Sequence, residues 1–359
     1  MPIHPELLDI YSSFNPNDPG SDSSLFGLPY TLDHAELVIL PIPWEVTVSY
    51  RAGTADGPEA IQAASAQVDL YIRGIRESWK FPMVMLPVSQ QIKHENNKYR
   101  DMARTYLRWI EEQGMDTMSE EMKIIPRFVN DGCEKLHIYV KNKSLELLKM
   151  GKQVALLGGD HSTPLGLLRA LATRYKSFGI LQIDAHADLR VSYENFVYSH
   201  ASIMYNALKL PQVKKLVQVG IRDICEDEVS YINNNRHRIT TFYDESIKEA
   251  VFQGSTWQQQ VERIIEELPE LIYISFDIDG LAPAYCPNTG TPVPGGLTFE
   301  EATYLIRSVV KAGKTIIGFD LNEVAPGDSE WDENVGARLL YQLACWMGVS
   351  QGKIEATIS

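Results

Sequence analysis

The chain has 359 residues, 44% of them hydrophobic, enough for one large α/β domain or two of ordinary size around a substantial core. A formal net charge of −14 argues against nucleic acid or an anionic membrane surface as partner. No apolar run approaches the about 18 residues of a membrane span, the N-terminus lacks the basic-then-apolar order of a secretory signal, and Cys133, Cys225, Cys286 and Cys345 form no C-x-x-C pair, so the chain reads as a cytoplasmic protein with reduced thiols.

In chain order, residues 1–34 form a polar N-terminal arm, turn-rich around Asn15-Pro-Asn-Asp-Pro-Gly-Ser-Asp-Ser-Ser24, and residues 35–359 the main domain. Glu36-Leu-Val-Ile-Leu-Pro41 is a first strand, followed by a loop over residues 43–53 and a helix from Gly57-Pro58, with proline near its start. Pro82 to Leu86 is a short second strand. Residues 96–150 have helical spacing of Met102, Tyr106, Leu107 and Ile110, broken near Gly114 and Asp116; a helical insertion spans about residues 94–150. Strands follow at 153–158, 179–183, 217–221, 240–243, 271–277 and 315–319, with helices over 256–268, 299–312 and 334–347. This alternation predicts a single α/β domain with a doubly wound sheet of mainly parallel strands and helices on both faces.

Three apolar runs stop at acids and histidines: Gln153-Val-Ala-Leu-Leu-Gly-Gly-Asp-His161, Gly179-Ile-Leu-Gln-Ile-Asp184-Ala-His186-Ala-Asp188 and Leu271-Ile-Tyr-Ile-Ser-Phe-Asp277-Ile-Asp279. Buried parallel strands carry their chemistry beyond their carboxyl ends, so the three clusters are expected on one rim. In an extended segment Asp184, His186 and Asp188 would point to one face. Four carboxylates and two imidazoles (His161, Asp184, His186, Asp188, Asp277 and Asp279) carry too much charge for one ion and suit two divalent cations, hard or borderline ones such as Mn²⁺ rather than thiolate-seeking Zn²⁺.

Gly158-Gly-Asp-His161, Asp184-Ala-His-Ala-Asp188 and Ser275-Phe-Asp-Ile-Asp-Gly280 resemble, in order, the three metal motifs of the ureohydrolases, the family of arginases, agmatinases, guanidinobutyrases and formiminoglutamases. The resemblance runs from about Leu37 to about Met347. It implies an arginase-like three-layer sandwich and a dinuclear centre of two Mn²⁺ ions, with Ni²⁺ in some relatives, joined by a bridging hydroxide, with Asp184 and Asp277 as the bridging carboxylates. It implies that His200 shuttles protons beside the metals and that Glu323, in Gly318-Phe-Asp-Leu-Asn-Glu323, holds the guanidinium group. It also implies a homo-oligomer, trimer or hexamer.

Departures from arginases narrow the substrate. The loop after Asp188 lacks the asparagine-bearing grip for an amino-acid head group, and Arg222-Asp223 is followed by Ile224 and Cys225 rather than a second acid. The expected substrate is a small cationic guanidino compound, agmatine before free guanidine or a short guanidino acid. Other readings are a formiminoglutamase-type hydrolase and a non-catalytic binding homologue. Trp44, Thr47, Tyr50, Tyr193 and Tyr198 are expected to wall the pocket, where aromatic faces suit a cation. The third motif, which usually continues to Asp-Pro, here continues Leu281-Ala282-Pro283, with Ala282 as the departure.

Overall fold

The computed structural model describes residues 5–21, 23–114 and 119–357. Eight strands form one sheet in the order β2-β1-β3-β8-β7-β4-β5-β6. They are β1 (Leu37–Ile42), β2 (Met83–Met85), β3 (Gln153–Gly158), β4 (Phe178–Ile183), β5 (Val213–Ile221), β6 (Ile239–Tyr243), β7 (Leu271–Asp277) and β8 (Thr315–Asn322). Every pairing is parallel. Parallel neighbours need crossovers, and helices supply them on both faces. The doubly wound sandwich expected from the sequence is therefore the fold.

Two apolar cores flank the sheet. One unites Leu37, Ile39, Ile272 and Ile274 with α2 (Gly57–Ser65), α9 (Trp257–Glu266), α10 (Phe299–Lys311) and α11 (Trp331–Ser350). The other joins Val38, Leu40, Val154 and Leu156 to α3 (Gln90–Gln113), α4 (Glu120–Lys149), α5 (Leu165–Arg174) and α6 (Ile203–Ala207). Alternate residues of one strand thus enter opposite cores, as a period of two dictates. Thr256 and Thr298 start α9 and α10 with capping boxes, each reciprocated by Gln259 or Glu301 three residues on. No helix among the described residues is long and apolar enough to cross a membrane.

The N-terminal arm is more structured than its composition suggests. Helix α1 (Pro5–Ser13) packs Leu7, Ile10 and Tyr11 on the first core, and Tyr11 and Phe14 meet the Trp79 ring at 5.9 and 5.4 Å between centroids. The helical stretch after β2 is two long helices, α3 and α4, lying against each other and against the sheet. The helices α7 (Glu226–Asn234) and α8 (Asp244–Phe252) complete the set.

Because the strands are parallel, the carboxyl ends of β3, β8, β7 and β4 adjoin one another at the centre of the sheet. All three acid–histidine clusters, and Glu323 after β8, meet on that rim.

Candidate metal centre

Each motif begins where a strand runs out. Beyond β4 the chain is not extended: Asp188 has φ of 55°, in the left-handed region, so residues 184–188 do not form the strand-like face that their spacing suggested. The curled segment sends Asp184 and Asp188 toward His161, and His186 toward Asp279. His161 Nδ1 stands 3.0 Å from Asp184 Oδ2, 3.0 Å from Asp188 Oδ2 and 3.3 Å from Asp277 Oδ2. His186 Nδ1 lies 3.1 Å from Asp279 Oδ2 and 3.7 Å from Asp184 Oδ1. Two groups of donor atoms result, His161–Asp184–Asp277 and Asp184–His186–Asp279, each with its atoms within 4.8 Å of one another. Asp184 belongs to both. Asp277 faces the first group through Oδ2, and its Oδ1 accepts the Asp279 amide at 2.9 Å.

The electrostatics ask for cations. Burial alone would depress the histidines, yet the surrounding carboxylates outweigh it, holding His161 well above its usual pKa and His186 up at about 12. Asp188 and Asp277 are pushed well above the carboxylate range by burial and by neighbouring acids. Asp184 goes the other way: burial raises it, but His161 and His186 pull it below its ordinary value. His161 Nδ1 is buried without a hydrogen-bond partner. Oxygen-rich donors with one imidazole in each group fit hard or borderline divalent ions, which would take up Nδ1 and neutralise the acids.

A row of polar residues crosses the sheet beneath the centre. Thr241, Gln218, Gln182, Ser275 and Asp320 are register partners on β6, β5, β4, β7 and β8. Thr241 Oγ1 donates to Gln218 Oε1 at 2.7 Å, Gln218 Nε2 to Gln182 Oε1 at 2.7 Å, and Gln182 Nε2 to Asp184 Oδ2 at 2.8 Å. On the other side Ser275 Oγ donates to Asp320 Oδ1 at 3.1 Å and lies 2.8 Å from His161 Nε2. With its one proton committed to Asp320, Ser275 accepts from Nε2–H, so that in the neutral ring a cation would require, Nδ1 carries the lone pair of His161. These supporting residues were not singled out in the sequence. Their signal is a polar side chain inside an apolar strand, as in Ile180-Leu-Gln182-Ile and Val217-Gln218-Val.

The turn after β3 is tight. A Cβ on Gly158 would fall 1.8 Å from Asn322 Oδ1, and one on Gly159 would fall 2.1 Å from the Trp44 carbonyl. Asp160 is no part of either donor group; its Oδ1 accepts the amide of Ser162 at 2.9 Å and its hydroxyl at 2.5 Å. Helix α5 then starts with Pro164 at its N-cap, without a side-chain cap. Glu323, at φ of 63°, accepts the His161 amide on Oε1 at 2.9 Å and is buried; burial, then Asp160, raises its pKa well above the usual range.

A cavity of about 150 Å³ opens over the centre, lined by His186, Asp188 and His200 together with Tyr193, Arg190 and Ser49. Burial, and then the charges of His186, His161 and Arg100, bring the His200 imidazole down to about 3, so it is neutral at pH 7. Of the five expected wall residues only Tyr193 lines this cavity. Trp44 is 2% exposed and packs 6.1 Å from the Tyr99 ring on the α3 side. Thr47 is buried, Tyr50 is 70% exposed and stacks with Arg51 at 5.6 Å, and Tyr198 packs on His137 at 5.1 Å. The loop turns their side chains into the core or the solvent. Ser49, Arg190, Asp223, Glu228 and Thr291 complete the wall instead. Glu228 is buried and occupied, accepting from the Leu189 amide at 2.9 Å and the Cys225 amide at 3.2 Å. Ala282 stands apart from both donor groups, its amide bonded to the Leu297 carbonyl at 2.8 Å.

Comparisons with known proteins agree with this architecture. An N(1)-aminopropylagmatine ureohydrolase of Thermus thermophilus is 28% identical, the match covering 92% of this chain and 96% of the relative. A Synechocystis protein of the same name is 30% identical over 89% of this chain and 91% of its own length, and an agmatinase of Proteus mirabilis 30% identical over 85% and 84%. Among solved structures, the agmatine ureohydrolase of Thermoplasma volcanium shares the fold with a TM-score of 0.67 at 23% identity, covering 96% of this chain and 99% of that one. The formiminoglutamase of Trypanosoma cruzi shares it with a TM-score of 0.66 at 15% identity, over 91% and 98%. The model of the Arginase family matches residues 35–345, and with that span, which holds every motif described above, this chain belongs to the arginase family.

Proposed function

We propose that this protein hydrolyses the guanidino group of a small cation to urea and an amine, with agmatine as the leading substrate. The observation that carries the reading is the pair of donor groups sharing Asp184, with His200 lining the cavity over them and Glu323 hydrogen-bonded to the His161 amide. The names of the relatives support the substrate class and extend it to agmatine with an aminopropyl tail.

His161, Asp184, His186, Asp188, Asp277 and Asp279 would hold two divalent cations, Mn²⁺ by resemblance and Ni²⁺ as the alternative, with Asp184 common to both donor groups. Such ions supply Lewis acidity, bringing the pKa of a coordinated water near neutrality. The remaining work falls to the chain. Glu323 pairs with the planar cation and orients its carbon, a charge-assisted contact. His200, neutral at pH 7, accepts the proton of the attacking water and passes it to the leaving amine nitrogen as the C–N bond breaks. The guanidinium and one water thereby become urea and an ammonium ion, with charge conserved. Cytoplasmic placement and assembly as trimers or hexamers belong to the same reading.

A second reading, a guanidino acid, draws on Arg190. It lines the cavity, and its guanidinium lies 5.0 Å above the Tyr193 ring, where it could meet a carboxylate. Urea release from agmatine, N(1)-aminopropylagmatine, guanidinobutyrate, guanidine and arginine, with glutamate release from formiminoglutamate, separates the readings. Agmatine or its aminopropyl derivative should give the highest kcat/KM. Arginine in first place overturns the substrate, and formiminoglutamate in first place overturns the reaction.

A further inference from the structure

We propose that the α3–α4 hairpin sets substrate affinity by clamping both loops that wall the cavity, with Asn96 and Arg100 holding one and Tyr106 and Asn130 the other. The inference deepens the hydrolase reading and rests on it only for the choice of substrate.

The first loop, residues 43–50, brings Ser49 to the cavity. Asn96 and Arg100 lie one helical turn apart on α3, so they share a face. Asn96 Oδ1 accepts the Glu45 amide at 2.7 Å. Arg100 Nη1 donates to the Val46 carbonyl at 3.3 Å and to the Val48 carbonyl more closely. Both side chains are at least nine-tenths buried, and a buried guanidinium is costly unless its protons are accepted. Glu45 Oε2 in turn takes the amides of Gly53 at 2.6 Å and Ala55 at 3.2 Å, tying the loop to the residues that follow it.

The second loop, residues 193–198, brings Tyr193 to the wall and leads into His200. It is tight and strained. Tyr193 and Phe196 exchange backbone hydrogen bonds of 3.1 and 2.8 Å, and Glu194 and Asn195 between them have φ of 50° and 65°. Side chains with Cβ hold such angles only where the surroundings fix them. The surroundings here are the hairpin. Tyr106 on α3 accepts the Asn195 side-chain amide at 2.6 Å and sets its ring 5.5 Å from Phe196. Asn130 on α4 accepts the Val197 amide at 2.9 Å and donates to the Asn195 carbonyl at 3.1 Å.

The two helices act as one body. A Cβ on Gly132 of α4 would come within 2.7 Å of the Tyr99 ring of α3. None of the four clamping residues bonds to a member of the two donor groups or lines the cavity, so they are positioning residues. Loosening them should blur the walls while leaving the metal ligands in place.

The test uses the full-length, Mn²⁺-loaded protein with Asn130→Ala, Asn130→Asp and Tyr106→Phe. Asn130→Ala should raise KM for agmatine about tenfold with kcat within about twofold, the signature of lost uniform binding. Asn130→Asp, which keeps the acceptor for Val197, should recover part of that loss. Tyr106→Phe removes only the hydroxyl and should move KM in the same direction. Hydrogen exchange without substrate should accelerate at residues 194–198 and stay unchanged in β4 and β7. Unchanged KM and unchanged loop exchange in folded variants overturn the proposal, as does a fall in kcat at constant KM. If the wild-type protein cleaves no guanidino compound, the hydrolase reading fails and loop exchange alone decides the clamp.

Discussion

Asp184 Oδ2 lies 3.0 Å from His161 Nδ1, while the other oxygen of the same carboxylate faces His186 Nδ1 at 3.7 Å. One side chain thus serves both donor groups, and no other residue of the site does. Asp184→Asn should cost both metal equivalents. Asp279→Ala, confined to the second group, should lose chiefly one. Elemental analysis after dialysis checks this, and two full equivalents retained in either variant contradict the shared-ligand geometry.

Asp184 is itself aimed. Gln182 donates to its Oδ2 at 2.8 Å and is held by Gln218, itself bonded to Thr241. Gln182→Leu removes the donor and leaves the strand apolar. Metal affinity should fall about 10–100-fold, the usual cost of losing a partner behind a ligand, with far-UV circular dichroism unchanged. Competition against a chelator measures it.

How much of this was legible beforehand follows from where the chemistry sits. Apolar runs ending in acids located β3, β4 and β7 and the five residues of the two donor groups at their ends, with Asp188 beside His161, because a buried charge cluster stands out against a hydrophobic strand. The polar row on β4 to β8 was passed over, since a lone Gln182 or Gln218 within a strand looks like tolerated noise until register aligns it with its neighbours. The pocket walls were the least legible. Composition pointed to Trp44 and Tyr198, but loop side chains take their direction from tertiary partners, and α3 and α5 draw these two away: Trp44 packs against Tyr99 and Tyr198 beneath Arg169. The curl at Asp188 likewise depends on a positive φ that its spacing does not announce. Helix α1 was hidden because its three anchoring apolar residues, Leu7, Ile10 and Tyr11, are diluted by polar neighbours.

His200 lines the cavity beside His186 and Asp188. His200→Ala should lower kcat by about 10²–10⁴-fold, the scale of a positioned acid–base group, with metal content unchanged. Because its pKa is brought down to about 3, first by burial, the imidazole stays neutral well below pH 6. The acid limb of the rate profile between pH 5 and about 6.5 should therefore not be the titration of His200. Glu323→Gln replaces the carboxyl group proposed to pair with the guanidinium and should raise KM and lower kcat together. Wild-type kinetics in both variants contradict these roles.

His137 on α4 gives a pH effect remote from the centre. It is fully buried, neither ring nitrogen has a hydrogen-bond partner, and burial, then Arg169, lowers its pKa to about 3. The unfolded chain binds this proton near pH 6.5, so the stability from keeping the ring neutral is present above pH 6.5 and is lost as pH falls toward 3. At pH 5 the loss is about 2 kcal/mol, from 1.36 kcal/mol per pH unit. His137→Leu should shrink the fall in Tm between pH 7 and pH 5. An identical fall in the variant contradicts the assignment.

The central claim is that two cations at one shared carboxylate drive guanidine hydrolysis. It is tested most directly by titrating metal-free protein with Mn²⁺ while measuring urea formed from agmatine. Urea release should rise until two equivalents per chain are bound and level off there. Full activity at one equivalent, or no urea at any metal content, would contradict the account.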